Sequence, residues 1–73
     1  MNTRHLYTLR NGTVIVLEHI STIHPTTEQG RFRIYDVTPK HYDVADTEFK
    51  LPKEGGTYIT TERAELLKAL AAI

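Results

Sequence analysis

Four histidines, His5, His19, His24 and His41, are the residues of this 73-residue chain best suited to hold a metal. Neutral imidazole suits zinc, nickel or copper. His19 and His24 flank a bend, and either could approach His5 across a hairpin. No His-x-x-x-His pair and no cysteine accompanies them, and their spacing matches no standard site. They read as surface or half-buried histidines, with neither metal nor cofactor expected. The carboxylates Asp36, Asp43, Asp46, Glu48 and Glu54 could in principle pair as acid and base, but such a pair needs a cleft to drive its pKa values apart. A chain this short rarely builds one alone. Ser21 is the only serine and lies in no nucleophile motif; Gly55-Gly56 lacks the Lys-Ser or Lys-Thr of a phosphate loop. The expectation is a protein that is not an enzyme.

Binding chemistry is better represented. Arg31, Arg33 and Tyr35 fall on one face of an alternating segment. With Arg10 on a nearby hairpin they form a candidate cationic platform for a phosphate or a nucleotide base. The plainer reading of the same alternation is the solvated outer face of a sheet. Tyr42 and Phe49, with Asp43 and Asp46 beside them, are the candidate residues for a protein partner. Tyrosine has an apolar body and a polar tip and is favoured at interfaces. The competing reading is that Tyr42 and Phe49 pin their own segment to the sheet.

Nine basic residues balance nine acidic ones. Zero net charge argues against a general polyanion binder, whose affinity comes from released counterions, so nucleic acid is disfavoured as a partner. The charge is uneven, +2 over residues 1–35 and −2 over residues 36–73. No apolar run approaches the ~20 residues of a membrane span, and no signal-peptide core follows Met1–His5. A single soluble, cytoplasmic domain over residues 1–73 is expected. So short a chain buries only ~60% of its unfolded surface, which makes a homo-oligomer the expectation.

The elements that must position these groups begin with a hairpin. Asn11-Gly12 separates Leu6, Tyr7 and Leu9 from Val14-Ile15-Val16-Leu17, and both residues tolerate the positive φ of a two-residue turn. Leu17, Ile20 and Ile23 recur every third residue, which predicts a bend or one turn of 3₁₀ helix at Glu18-His19 and then extended chain. Pro25 ends that pairing, and residues 26–30 form a polar turn. Arg31–Val37 alternates as a half-buried strand, with Phe32 and Ile34 inward. Residues 38–56 are an irregular insert holding one short strand or an arm. Thr57–Ile59 is a brief strand. Thr60 or Thr61 then caps a closing helix whose apolar stripe is Leu66, Leu67, Leu70 and Ile73.

Several of these features, Leu9-Arg10-Asn11-Gly12, Leu17-Glu18-His19-Ile20-Ser21-Thr22-Ile23, the strand at Phe32 and Ile34, and Glu65-Leu66-Leu67-Lys68-Ala69-Leu70, occur in an order that resembles the small flagellar regulators of the FlbD type. Short phage proteins have a similar pattern. The resemblance spans about two-thirds of the chain and omits residues 38–56, where the family has only a tight turn. It implies an architecture and no functional residues.

The expected fold is α+β: a small antiparallel sheet of three to five strands with one C-terminal helix packed on it. The expected core is Leu9, Val14, Val16, Ile20, Ile23, Phe32, Ile34, Ile59, Leu66, Leu67 and Leu70. The expected function is a small non-enzymatic binding module, a regulator or inhibitor acting by protein–protein contact, with the resemblance to short phage proteins implying a phage origin. The alternative is an oligomeric binder of a nucleotide or another phosphate-bearing ligand.

Overall fold

A computed structural model describes residues 4–26, 30–38 and 40–73. Among the described residues seven strands and one helix follow one another as β1 (Leu6–Thr8), β2 (Val14–Val16), β3 (Ile20–Pro25), β4 (Arg31–Asp36), β5 (His41–Ala45), β6 (Glu48–Lys53), β7 (Gly56–Thr61) and α1 (Glu62–Ala71). The fold is α+β, as the sequence implies. Its strands form three antiparallel sheets, β1-β2, β3-β4-β5 and β6-β7, rather than one. The breaks fall at the 3₁₀ turn Leu17–His19 and at Asp46-Thr47.

The Asn-Gly signal places the first hairpin correctly, but the turn is one residue longer than that dipeptide suggests. Leu9 N donates to Thr13 O at 2.7 Å and Gly12 N to Leu9 O at 2.9 Å, so Arg10, Asn11 and Gly12 all lie in the loop. Only Gly12 has positive φ, at +94°. This is a three-residue connection closed by a left-handed glycine, with Asn11 Oδ1 accepting from Thr13 N at 2.9 Å. The extra residue sets the register: Leu6 faces Val16, Tyr7 faces Ile15, and Thr8 faces Val14. A two-residue turn would have set Leu9 opposite Val14 and turned Val14 and Val16 inward. Instead Leu9, Ile15 and Leu17 are buried, while Val14 is exposed and Val16 only half-buried. A shift of one residue exchanges the two faces of a strand.

The spacing of Leu17, Ile20 and Ile23 does produce a 3₁₀ turn followed by a strand. The turn is latched to the start of the chain. His5 N donates to Glu18 Oε1 at 2.9 Å and the His5 ring meets Glu18 Oε2. These bonds hold the Glu18 carboxyl down at about 2. Pro25 is the last residue of β3 to pair. The polar turn after it lies partly outside the described residues.

In β4 the alternation holds: Phe32 and Ile34 are buried, with Arg31, Arg33 and Tyr35 on the other face. The segment 38–56 is not irregular as expected. It supplies two strands, β5 paired along β4 and β6 paired along β7. Tyr42 and Val44, then Phe49 and Leu51, sit two residues apart and turn inward together, which is strand periodicity broken up by charges. The brief strand expected at Thr57–Ile59 runs to Thr61, because β6 offers it a full-length partner.

Thr61 caps α1, its hydroxyl accepting from Ala64 N at 3.2 Å. The inward stripe is buried Glu62 and Leu66 with partly buried Ala69 and Leu70, rather than Leu66, Leu67, Leu70 and Ile73. Leu67 and Ile73 are exposed. Leu67 lies about 100° around a 3.6-residue helix from Leu66, so both cannot face one sheet. Ile59 is also exposed, because β7 turns Tyr58 and Thr60 toward the helix instead. Leu66 joins Phe32, Ile34, Val44, Leu9, Ile15 and Leu17 in one core. Among the described residues no helix is long and apolar enough to cross a membrane.

Candidate binding surfaces

The outer face of the β3-β4-β5 sheet carries Arg31, Arg33 and Tyr35. Antiparallel register sets Thr22, Tyr35 and His41 in one row and His24, Arg33 and Asp43 in the next, with Arg31 beside Ala45 beyond them. The Tyr35 ring stands 5.3 Å from His24, edge-on at 84°, and 5.3 Å from His41, tilted at 46°. Thr22 Oγ1 lies 3.0 Å from the His24 ring nitrogen. Arg33 grips Asp43 with Nε to Oδ1 at 2.8 Å and Nη2 to Oδ2 at 3.4 Å. That bond keeps the Asp43 carboxyl below its usual range and pushes the guanidinium up. Both members of the pair are partly solvent-exposed, where such pairs contribute little to stability; its effect here is to fix the arginine in place. At one end of the face, Ser21, Thr22, His24, Tyr35, Asp36 and Val37 line an open depression of about 380 Å³.

Arg10 is not part of this platform. Its guanidinium carbon lies 4.0 Å above the centre of the Phe49 ring. Reading along β4 alone overlooks His24 and His41, which reach Tyr35 from the neighbouring strands. Only the register brings them there.

The inner side presents a different surface. Val14, Val16, Ile20 and Tyr42, with His19 and Asp36 at the rim, line a groove of about 340 Å³ between the first hairpin and the three-stranded sheet. Tyr42 lies opposite Ile34 and packs against the core. Burial, reinforced by Asp36, raises its phenol above the ordinary value. Asp36 accepts from the Thr38 hydroxyl and amide, each at 2.8 Å, and its carboxyl is held low chiefly by that hydroxyl. Leu6, Val14 and Val16 share the outward side of the hairpin; Leu6 is 66% and Val14 56% exposed.

A third cluster ties the hairpin to α1. Glu62 is only 3% exposed, yet it accepts from Tyr7 OH at 3.0 Å and from Arg10 N at 2.6 Å. Burial, helped by Glu62, pushes the Tyr7 phenol well above its ordinary value. One turn further on, Glu65 accepts from Thr60 Oγ1 at 2.8 Å and Tyr58 OH at 3.1 Å, and the Thr60 bond is the main reason its carboxyl is lowered. Both carboxylates are engaged in holding strands to the helix. From the sequence Glu62 reads only as a first-turn acid suited to the positive end of the helix dipole.

The four candidate partner-binding residues therefore separate. Asp43 pairs with Arg33, Asp46 Oδ1 accepts from Arg63 N at 3.1 Å at the start of α1, and Phe49 underlies Arg10. Tyr42 lines the groove beside exposed Val14, and Phe49 lines a separate depression of about 340 Å³ beside exposed Leu6. Among the described residues no group of three or more His, Asp or Glu side chains could hold a metal ion. No protein-family model, no curated protein and no solved structure matches this chain.

Proposed function

We propose that this chain is a small, non-enzymatic binding module that acts by protein–protein contact. In this reading it is a cytoplasmic regulator or inhibitor that seats an apolar segment of its partner in the groove of Val14, Val16, Ile20 and Tyr42. The observation that carries the reading is the two-sided apolar character of the first hairpin. Tyr7 and Ile15 serve the core, while Leu6 and Val14 remain in water on the other side. Contiguous exposed apolar side chains beside a groove mark interaction surfaces, and a tyrosine in such a groove is a favoured anchor. Self-association belongs to the same reading, since a domain of this size gains stability by it.

Capture from a host lysate tests the groove. Val14→Asp leaves the buried side of the hairpin untouched, so its far-UV spectrum should match that of wild type. Partner capture should fall at least about tenfold, the equivalent of 1.4 kcal/mol. Tyr42→Ala should weaken capture in the same direction. Wild-type capture by both variants would remove the groove from the reading.

A second reading assigns the outer sheet face to a nucleotide or other phosphate-bearing ligand, held by Arg31 and Arg33 and stacked on Tyr35. The placement of Tyr35 between His24 and His41 favours it, because aromatic faces beside fixed cations suit a flat anionic ligand. Titration with a nucleoside monophosphate, followed by amide chemical shifts, should perturb β3, β4 and β5. Tyr35→Ala and Arg31→Ala should each erase that response. An unperturbed wild-type spectrum at millimolar ligand would dispose of this reading.

A further inference from the structure

We propose that β7 pairs edge to edge with β7 of a second copy of this chain, antiparallel about a twofold axis at Ile59. The inference deepens the self-association proposed above and rests on it. It is independent of the groove.

The argument begins with how each strand edge is defended. Natural edges are blunted by charge, proline, bulges or shortness. Strands β1 and β2 have three residues each. Strand β3 contains Pro25 and a register shift between Ile20 and Thr22. Strand β5 carries Asp43 at its centre. Strand β6 contains Pro52 together with Glu48, Lys50 and Lys53. Strand β7 has none of these devices. Thr57-Tyr58-Ile59-Thr60-Thr61 is five residues without charge or proline, every one β-branched or aromatic, the composition most at home in a sheet. Among the described residues its one backbone-paired neighbour is β6. Ile59 at its midpoint is 62% exposed.

A twofold pairing explains why that isoleucine faces outward. Ile59 meets Ile59 of the other copy, Tyr58 meets Thr60, and Thr57 meets Thr61. Lys50 lies opposite Ile59 within each hairpin. The central row is therefore Lys50, Ile59, Ile59, Lys50, with the lysine stems lying over the apolar pair. The two ammonium groups sit on strands three spacings apart, about 14 Å, which exceeds the ~8–10 Å screening length in physiological salt. Along the paired ladder, Gly56 to Thr61 of each copy, no charged residue meets another. The product is a four-stranded sheet in place of two two-stranded ones, and a two-stranded sheet is the weakest arrangement of strands in water.

The chain has no cysteine, so a single introduced thiol reports this register. Ile59→Cys puts two thiols directly across the axis, where opposed Cα atoms lie about 4.5–5.5 Å apart, within disulfide range. Thr57→Cys puts them four residues apart along the strand, about 13 Å, which a disulfide cannot span. The expected result is a disulfide dimer from I59C under mild oxidation, with a wild-type circular dichroism spectrum, and little or none from T57C. In parallel, I59K should raise the dissociation constant of the self-associated form at least tenfold in sedimentation velocity. Wild-type protein that stays monomeric at all concentrations would overturn both self-association and this edge. An oligomeric wild type whose I59C variant folds but does not crosslink would overturn the edge alone. Equal crosslinking of I59C and T57C, or crosslinking of V14C in place of I59C, would equally refute the β7 pairing.

Discussion

Replacing Phe32 with alanine is expected to cost about 3–5 kcal/mol, through lost transfer energy and the cavity left behind. Phe32 is 1% exposed and sits in the central strand of the three-stranded sheet, flanked by Pro25 on β3 and Val44 on β5. The buried core around it also contains Ile34, Leu66 and the inner residues of the first hairpin. The first hairpin, the three-stranded sheet and the helix thus converge on few side chains. A chain of this length commands only roughly 4–11 kcal/mol in all at 0.05–0.15 kcal/mol per residue, so the loss takes a large share of it. Urea denaturation followed by far-UV circular dichroism measures it. A variant that melts within about 1 kcal/mol of wild type would mean that the core collapses around the gap, since collapse of the site is what sets the size of the cavity cost.

The second large effect is expected at Glu62, where alanine should cost about 2–4 kcal/mol, since bonds to a charged acceptor contribute about 1.5–3 kcal/mol and orphaned donors add a penalty. Its carboxylate joins Tyr7 of β1 and the backbone of Arg10 in the turn to the first residue of α1. Removing it strands the Arg10 amide and the Tyr7 hydroxyl at a part-buried seam. Glu62→Gln keeps an acceptor for the amide and a group that can meet the hydroxyl, so its cost should be the smaller of the two. A double-mutant cycle with Tyr7→Phe should show coupling above about 0.5 kcal/mol, as expected for residues in direct contact. Additive losses would mean that the Tyr7–Glu62 bond does not form in solution. The seam also bears on the proposed function, because the hairpin it anchors carries Leu6, Val14 and Val16.

Much of the local structure is legible in the residues themselves. Asn11-Gly12 marks a reversal of the chain, the threefold spacing of Leu17, Ile20 and Ile23 marks a 3₁₀ turn, Phe32 and Ile34 alternate with arginines, and Thr61 begins a helix. Each of these signals acts within about four residues, where backbone preference and hydrogen-bond geometry decide the outcome. The candidate surfaces are legible only in part. Arg31, Arg33 and Tyr35 share a face because a strand has period two, and that much follows from spacing. That His24 and His41 flank Tyr35, and that Asp43 pairs with Arg33, depends on which residues of β3 and β5 stand opposite β4.

The sequence by itself determined that the chain reverses at Asn11-Gly12, that Thr60 or Thr61 caps a closing helix, and that strands are mixed with one helix. The tertiary structure decided which sides of those elements face inward. In the first hairpin one additional loop residue turned Ile15 and Leu17 to the core and Val14 to the surface. In β7, Glu65 drew Tyr58 and Thr60 inward and left Ile59 outside. In α1, Leu66 took the buried position that Leu67 fits equally well by composition. The physical reason is common to all three. A strand or helix rich in apolar residues has two nearly equivalent faces, and the choice between them is made by register and by partners far away in the chain, which no local pattern encodes.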